Sequence, residues 1–381
     1  MKYFDVVIIG SGPAGAAAAF KLAEKGISVA IIEKETLPRY KTCGGGFVYR
    51  GVKMLPFDIT EVAEREFYKV DTLIGKDFHF ITERDQPVIT MVMRDTFDSF
   101  LVKKVTEKGG TVIDNCKLTG LTSEGENVVL STTHEEIKTR FVIAADGALS
   151  PTAKMAGWEK ETRHLIPALE YEVEVSEADF ERLSKSVRFD IDAIPGGYAW
   201  NFPKKNHLSI GVASGKRTKI NLKQYYQEYL SNTLKIDNVI SEVQHGFQIP
   251  VTPRTDGFVK NNVFLVGDAA GFADPVTAEG ISNSIYSGML VADAIAESDL
   301  DVKKAELIYM DKLEEKLLPE IKTGILLSKF LYDQPKIRNL FMKKYGQGAF
   351  EAMTDVFMGK RSYPADIMKT LKRRAKELLF S

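Results

Sequence analysis

Cysteine is nearly missing from this chain: its 381 residues include only Cys43 and Cys116, too few for a disulfide framework or an iron–sulfur cluster. No charged segment with an apolar stretch behind it precedes the first strand-like run, so a reducing cytoplasm is the expected compartment. No apolar run approaches the ~20 residues of a membrane-spanning helix, which leaves the membrane surface as the only expected lipid contact. Net charge is lacking too. With 52 acidic against 51 basic residues, no global field steers the chain toward nucleic acid, and no nucleic-acid partner is expected. The five histidines, His79, His134, His164, His207 and His245, lie far apart in β-rich sequence and read as surface or satisfied core residues. No carboxylate array has metal-ligand spacing and no serine sits in a nucleophile elbow, so neither a metal site nor hydrolase chemistry is expected. Internal repeats and low-complexity segments are absent.

What is present begins at the N-terminus. Val6-Val7-Ile8-Ile9 runs into Gly10-Ser11-Gly12-Pro13-Ala14-Gly15, and Glu33 closes a second apolar run, Val29-Ala30-Ile31-Ile32. Strand, G-x-G-x-x-G turn, helix start and distant acid stand in dinucleotide-binding order. In that order Gly10 bends the chain, Gly12 admits a pyrophosphate, Gly15 lets the helix pack on the sheet, and Glu33 accepts hydrogen bonds from a ribose. The first-turn N–H groups and the positive end of the helix dipole favour the phosphates. A tight βα turn without a ligand is the plainer alternative.

Beyond this unit the strict βα alternation stops, so other material is inserted. Strand-like runs occur at Phe78–Thr82 and Val88–Val92, and a helical pattern opens at Arg94. Further strands follow at Thr111–Asp114, Val128–Ser131 and Thr139–Ala145, the last delivering the chain to Asp146-Gly147. From Ile166 to about Pro250 alternation predicts a sheet with one buried face, interrupted by a helix near Leu222–Leu234. Asn262–Val266 then runs into Gly267-Asp268-Ala269-Ala270-Gly271, a second strand-into-glycine step. Past Glu279 the pattern is helical, with a break at Asp333-Gln334-Pro335. The expected domains are 1–60, 94–160 and 251–298 for nucleotide binding, 61–93 and 161–250 for substrate, and a helical region over 299–381.

Several scattered motifs could gather around one cofactor. Arg94 offers a planar fork of donors to a diphosphate or a sugar-like chain, although a lone arginine is more often a surface residue. Asp146-Gly147 and Gly267-Asp268 each end a strand, where an aspartate can accept cofactor hydroxyls and a glycine lets backbone pass close to a ring. Taken singly, each is also an ordinary strand-ending turn.

With these residues the chain resembles flavoproteins of the p-hydroxybenzoate hydroxylase fold and, among them, the geranylgeranyl reductase family. The wider resemblance runs from Tyr3 to about Ile295. It implies an α/β fold: a Rossmann-like FAD-binding domain with an inserted antiparallel β-sheet substrate domain and a helical C-terminal region. It also implies FAD, with Gly10, Gly12, Pro13, Ala14 and Gly15 at the pyrophosphate and Glu33 at the adenosine ribose. Lys34, Arg39, Arg94, Asp146, Gly147, Gly267 and Asp268 are counted in the same site, Asp268 at the ribityl chain, and Gly280 and Ile281 at the pyrimidine edge of the ring. Pro38-Arg39-Tyr40-Lys41-Thr42-Cys43-Gly44-Gly45-Gly46 is similar to the P-x-x-K-x-C-G-G stretch of the reductases. That similarity implies Cys43, Gly44 and Gly45 beside the flavin, where a thiol can tune the ring or relay a proton. A small buried thiol that merely fills space is the plainer alternative.

Gly197-Tyr198-Ala199-Trp200-Asn201-Phe202-Pro203 is similar to the Y-x-W-x-F-P signature of the reductase substrate cavity. On a strand, Tyr198, Trp200 and Phe202 share one face and can wall an apolar channel ended by Pro203, or form an ordinary aromatic core face. Two departures from the aromatic hydroxylases favour a reductase. Gly271 stands where those enzymes carry histidine, and Ala278-Glu279-Gly280-Ile281-Ser282 replaces their Gly-Gln-Gly-x-Asn step. The reductases more often have glycine where Ala278 stands.

The resemblance therefore implies an FAD-dependent reductase of isoprenoid carbon–carbon double bonds, using NAD(P)H or a small electron carrier and acting on a prenyl lipid. The alternatives are an oxygen-using monooxygenase or halogenase, a dehydrogenase passing electrons to a quinone, and a flavin-binding module with a regulatory partner. The sequence fixes no oligomeric state. At the C-terminus, Ile367, Met368, Leu371, Ala375, Leu378 and Leu379 recur at helical spacing among Lys369, Lys372, Arg373, Arg374 and Lys376. Such a basic amphipathic helix either covers the protein's own core or lies in a lipid interface.

Overall fold

Val6 to Ile9 are almost fully buried, as expected of a central parallel strand covered on both faces. In the computed structural model, which describes residues 1–216, 220–366 and 369, this strand (Lys2–Ile9) lies between Val29–Ile32 and Glu136–Ala144, parallel to both. Thr111–Ile113 extends the sheet beyond Val29–Ile32, and Val263–Leu265 pairs in parallel on the far side of Glu136–Ala144. An antiparallel ribbon of Leu118–Glu124 and Asn127–Thr132 branches from the same strand. Helices Pro13–Glu24 and Ile281–Glu297 pack closely together, and Arg94–Glu107 packs against the first of them. Tyr309, on Val302–Lys316, donates its hydroxyl to the Leu265 carbonyl at 2.8 Å and fixes that helix on the sheet.

These elements form one compact unit, Met1–Lys41, Arg94–His164 and Pro250–Ile321. The second unit comprises Thr42–Met93, Leu165–Ile249 and the described residues from Lys322 on. Residues 42–60 fall in the second unit, and the C-terminal helices are shared between the two.

A seven-stranded sheet organises the second unit. Its order is Val239–Pro250, Leu165–Val175, Leu208–Ser214, Gly197–Pro203, Val187–Ile191, Lys69–Ile74 and Phe78–Glu83. From Leu165–Val175 through Leu208–Ser214 and Gly197–Pro203 to Val187–Ile191 the pairing is antiparallel, as it is between Lys69–Ile74 and Phe78–Glu83, whereas Val187–Ile191 runs parallel to Lys69–Ile74, because these strands come from different insertions. A three-stranded sheet, Gly46–Val48, Ile89–Val92 and Ala63–Phe67, belongs to the same unit.

One face of the large sheet packs Tyr171, Val173, Leu208, Ile210 and Val212 against Tyr226 and Tyr229. Tyr226 lies on Leu222–Glu228, and Tyr229 opens a wider helical turn, Tyr229–Thr233, that completes the expected helix. The expected break is present: Leu318–Asp333 ends where Pro335–Phe357 begins. The latter helix is anchored by buried Arg338, which pairs with Asp192 and donates to the Leu331 carbonyl at 2.7 Å. The basic amphipathic pattern near the C-terminus lies outside the described residues, apart from Lys369. Among the described residues no helix is long and apolar enough to cross a membrane.

Candidate functional site

In the first unit the fingerprint glycines have different reasons to be glycine. Gly10 has φ +105°, and a side chain there would meet the Ala145 carbonyl oxygen at 2.5 Å. A Cβ on Gly15 would stand 2.0 Å from the Gly10 carbonyl oxygen, so the helix start can press against the turn only without one. Gly12 differs. Its Cβ would meet only Arg94 Nη2 at 3.7 Å and Arg39 Nη2 at 3.9 Å. The fold itself thus requires Gly10 and Gly15, whereas Gly12 faces space bordered by two guanidinium groups. Gly12 also precedes Pro13–Glu24 with no side chain capping that helix, leaving first-turn N–H groups available to an anion.

Two carboxylates hold those guanidiniums. Asp98 accepts both Arg94 Nε–H and Nη2–H, at 2.8 and 2.9 Å, one helical turn along. Arg39 Nε lies 3.4 Å from Glu33 Oε2, and its Nη1 lies 3.0 Å from Asp98 Oδ2. That last contact is out of line, so buried Arg39 Nη1 makes no hydrogen bond within the protein. Glu33 in turn binds the glycine turn, accepting from Ser11 N–H at 3.0 Å and Ser11 Oγ–H at 2.7 Å. Burial alone would raise its pKa. The Ser11 donors, the Arg39 charge and the Glu35 N–H outweigh burial and hold the carboxyl below the usual glutamate range. Lys34 points away to the surface beside Glu35.

The two strand-ending aspartates also part company. Asp146 is engaged by its own turn, accepting from Ser150 Oγ–H and, at 3.0 Å, from Thr152 N–H. Asp268 stands on the short helical turn Gly267–Ala270, and its carboxylate accepts no hydrogen bond from the described residues. Burial pushes its pKa up, opposed by the charges of Lys41, Arg94 and Arg163. Its Oδ1 lies 3.4 Å from where a Cβ on Gly280 would stand. Gly280 precedes Ile281–Glu297 without a side-chain cap of its own, while Glu279 Oε1 accepts the Ser282 N–H at 2.8 Å.

Arg163, unmarked by any motif, ties the two turns together. Its guanidinium donates to the Ala148 carbonyl at 2.7 Å and the Asp268 carbonyl at 2.6 Å, and Glu161 balances its charge.

In the second unit Tyr198, Trp200 and Phe202 do share one face of their strand. Their ring centroids follow one another at 5.9 and 6.1 Å. Phe189 packs edge-on to Phe202 at 5.1 Å, and Tyr332 stacks on Tyr198 at 6.5 Å, two wall members without a motif of their own. Pro203 ends the strand, buried. The glycine run lies against this wall: a Cβ on Gly44 would meet Phe202 at 3.0 Å and Trp200 Nε1 at 3.2 Å. Trp200 Nε1 is a buried donor with no acceptor among the described residues. Gly45 has φ +67° and donates its N–H to Cys43 Sγ at 3.4 Å.

Behind this segment, Lys204 is fully buried and donates to the Gly44 carbonyl at 2.6 Å and the Val92 carbonyl at 3.0 Å. Burial lowers its pKa, against the charges of Glu172, Glu170, Cys43 and Glu64. Period two places Lys204 on the face of residues 198, 200 and 202. That was the available signal, obscured because Lys204-Lys205-Asn206 also reads as a hairpin turn.

The sequence model of the family described as FAD binding domain matches residues 3–300, most of the chain. The chain belongs to the FAD binding domain family.

Digeranylgeranylglycerophospholipid reductase 1 of Methanopyrus kandleri is 29% identical, covering 82% of this chain and 86% of that protein. The chloroplastic geranylgeranyl diphosphate reductase of Nicotiana tabacum is 28% identical, covering 96% and 83%. Among solved structures, a geranylgeranyl bacteriochlorophyll reductase-like protein from Thermoplasma acidophilum shares the fold with a TM-score of 0.77 at 22% identity, over 99% of this chain and all of that one. A flavin-dependent brominase shares it with a TM-score of 0.75 at 19% identity, over 99% of each chain.

Residues of this FAD-binding chain suit the cofactor's chemistry. The open face of Gly12 with two guanidiniums suits a pyrophosphate, and the carboxylate of Asp268, which accepts no hydrogen bond from the described residues, suits a hydroxyl.

Proposed function

We propose that this FAD-binding oxidoreductase saturates carbon–carbon double bonds of an isoprenoid, geranylgeranyl-type chain carried by a prenyl lipid. The observation that carries this reading is the aromatic face of buried Tyr198 and Trp200 and half-buried Phe202 set against Gly44–Gly46. An unactivated alkene has no charge for polar groups to grip, so a site for it must work by placement and by excluding water. An aromatic wall against side-chain-free backbone provides both. The names of the relatives from Methanopyrus kandleri and Nicotiana tabacum support the same substrate class.

When bound, FAD supplies the hydride. In this reading Gly12, Ala14 and Gly15 present backbone to the pyrophosphate, with Arg39 and Arg94 as counter-charges. Glu33 fixes the turn and its Ser11 while facing the adenosine ribose. Asp268 accepts a ribityl hydroxyl, and the start of Ile281–Glu297 at Gly280 steadies negative charge at the pyrimidine edge. Asp146 acts by shaping the turn that carries Gly147. Cys43 stands at the glycine run as the group able to give a proton to the second alkene carbon. The reductant is NAD(P)H or a small electron carrier, and the lipid substrate is met at a membrane surface in the cytoplasm.

Anaerobic reduction followed by mixing with geranylgeranyl diphosphate tests the reading. Flavin colour should return without oxygen, with a product two mass units heavier per double bond reduced. Return of colour only on admitting oxygen, with a hydroxylated or halogenated product, would assign the monooxygenase or halogenase alternative instead.

A further inference from the structure

Leu165–Val175 alternates apolar and acidic residues, and its acidic face runs from exposed Glu174 through half-buried Glu172 to buried Glu170. Glu170 is 2% exposed, and Glu172 stands two residues along on the same face. Ser209 Oγ donates to Glu170 at 3.1 Å. Across the sheet, Glu170 stands in register with Gly211 and Gly211 with Trp200. A Cβ on Gly211 would lie 2.2 Å from the indole, so the Trp200 ring fills the space over that glycine in the row leading to Glu170.

Glu172 reaches the surface through His207, whose Nε2 lies 2.9 Å from Glu172 Oε2 and whose Nδ1 lies 2.9 Å from Asn206 Oδ1. On the inner side Lys204 holds the Gly44 carbonyl at 2.6 Å, close enough for its charge to act with those of Glu172, Glu170, Cys43 and Glu64. A continuous set of titratable groups thus leads from the half-buried His207 to the Cys43–Gly45 segment. It contains more acid than base, so one carboxyl keeps its proton. Burial, and then the neighbouring Glu172 charge, push Glu170 up to about 8, while His207 and Lys204 hold Glu172 low against burial.

We propose that Glu170, Glu172, Lys204 and His207 form a proton reservoir that recharges the Cys43 thiol, the terminal proton donor to the alkene. This rests on the reductase reading above. As hydride adds to one alkene carbon, the S–H bond breaks and its proton forms the C–H bond at the other. Bound FAD would supply the hydride and its two electrons, and Cys43, having given its proton, is left as the thiolate. The Lys204 ammonium and the Gly45 N–H face that thiolate. Lys204 then returns a proton to sulfur and takes one from the Glu170 carboxyl, and His207 restores the glutamate pair from water. Glu170, Glu172 and His207 act through other groups and are positioning residues, whereas Cys43 is the member of the set that meets the reacting carbon.

Two measurements on the flavin-loaded full chain test this. Infrared difference spectra between about pH 6 and 10 should show a protonated-carboxyl band. That band should disappear with a midpoint near 8 and be missing in Glu170→Gln. A wild-type spectrum without the band, or a Glu170→Gln spectrum that keeps it, overturns the reservoir without reference to substrate. In steady-state turnover of geranylgeranyl diphosphate, Glu170→Gln and His207→Gln should each fall about tenfold or more while flavin reduction keeps its rate, and Glu170→Asp should recover part of the loss. Unchanged turnover in Glu170→Gln overturns the proposal. A wild-type protein that shows the band but passes no hydride to the prenyl chain overturns the reductase reading and leaves the buried acid established.

Discussion

A Cβ on Gly15 would stand 2.0 Å from the carbonyl oxygen of Gly10, whereas a Cβ on Gly12 would find no protein atom nearer than Arg94 Nη2 at 3.7 Å. One glycine is therefore required by the fold, and the other faces space bordered by two guanidinium groups. Gly15→Ala should destabilise the protein by about 3 kcal/mol or more, because backbone rather than a flexible side chain must give way. Gly12 has φ −70°, which alanine adopts freely, so Gly12→Ala should change stability by about 0.5 kcal/mol at most. It should nevertheless weaken FAD binding about tenfold or more by intruding where the pyrophosphate must lie. Denaturant midpoints of the flavin-free protein and flavin titration would separate the two effects. Equal flavin affinity for Gly12→Ala and wild type would remove the pyrophosphate from that face.

Asp146 and Asp268 invite a paired test, since both end strands and, among the described residues, donors reach the carboxylate of Asp146 and none that of Asp268. Asp146→Ala strands the Thr152 N–H and the Ser150 hydroxyl and should cost about 1–3 kcal/mol of stability. Asp268→Ala removes a carboxylate that burial disfavours, so the flavin-free protein should be no less stable. Its FAD dissociation constant should rise about 10- to 100-fold, the worth of a hydrogen bond to a charged acceptor. The reverse pattern, with Asp146 controlling affinity and Asp268 stability, would exchange their roles.

How far the sequence discloses these roles depends on what each position demands. A backbone that bends sharply or passes close to another chain segment leaves a glycine, so the turns at Gly10, Gly45 and Gly267 were legible. Apolar runs such as Val6–Ile9 and Val263–Leu265 marked the parallel strands for a similar reason. Charged residues leave no such trace. Arg163 in Thr162-Arg163-His164 reads as surface, and only the fold brings the Ala148 and Asp268 carbonyls to its guanidinium. Alternation at Leu169–Val173 correctly predicts a strand but implies that Glu170 and Glu172 meet water. Glu170 does not, and Glu172 does so only in part beside His207, because buried Lys204 lies on the same side of the sheet and holds the Gly44 carbonyl. An aspartate after a strand is legible as a motif. Whether its oxygens serve the protein or a ligand depends on residues such as Ser150 and Thr152, whose arrangement no short pattern records.

Glu33 gives the acid side of the stability curve a definite sign. Its folded carboxyl is held below the ordinary 4.5 of a glutamate, so its contribution is fully present above that value and is lost as the pH falls through the lower, folded one. Glu33→Gln keeps the shape but loses the charge that Ser11 and Arg39 answer. At neutral pH it should cost about 2 kcal/mol. Below about pH 4.5 its stability should fall less steeply than that of the wild type. Thermal melts of both proteins across the acid range would show the curves converging as the pH drops. Curves that stay parallel would mean that Glu33 is not held low.

Ala278 carries backbone strain that a single substitution can relieve. Asp274 Oδ1 accepts the N–H groups of Val276 and Thr277 and the Thr277 hydroxyl, while the Asp274 carbonyl accepts Ala278 N–H. The Asp274 N–H donates to the Glu279 carbonyl at 2.8 Å. So closed a loop leaves Ala278 at φ +57°, in the left-handed region, directly before Glu279 and Gly280 at the start of Ile281–Glu297. An L-residue loses about 1–2 kcal/mol there. Glycine avoids that loss but has more freedom to surrender from the unfolded chain, worth about 0.5–1 kcal/mol. Ala278→Gly should therefore stabilise the protein by about 0.5–1 kcal/mol without loss of flavin affinity. Ala278→Val, β-branched, should move stability the other way and loosen the helix start that the flavin reading places at the pyrimidine edge. Denaturant midpoints of the three proteins, each with and without FAD, decide the matter. A glycine variant no more stable than wild type would show that the loop relaxes its φ instead of imposing it.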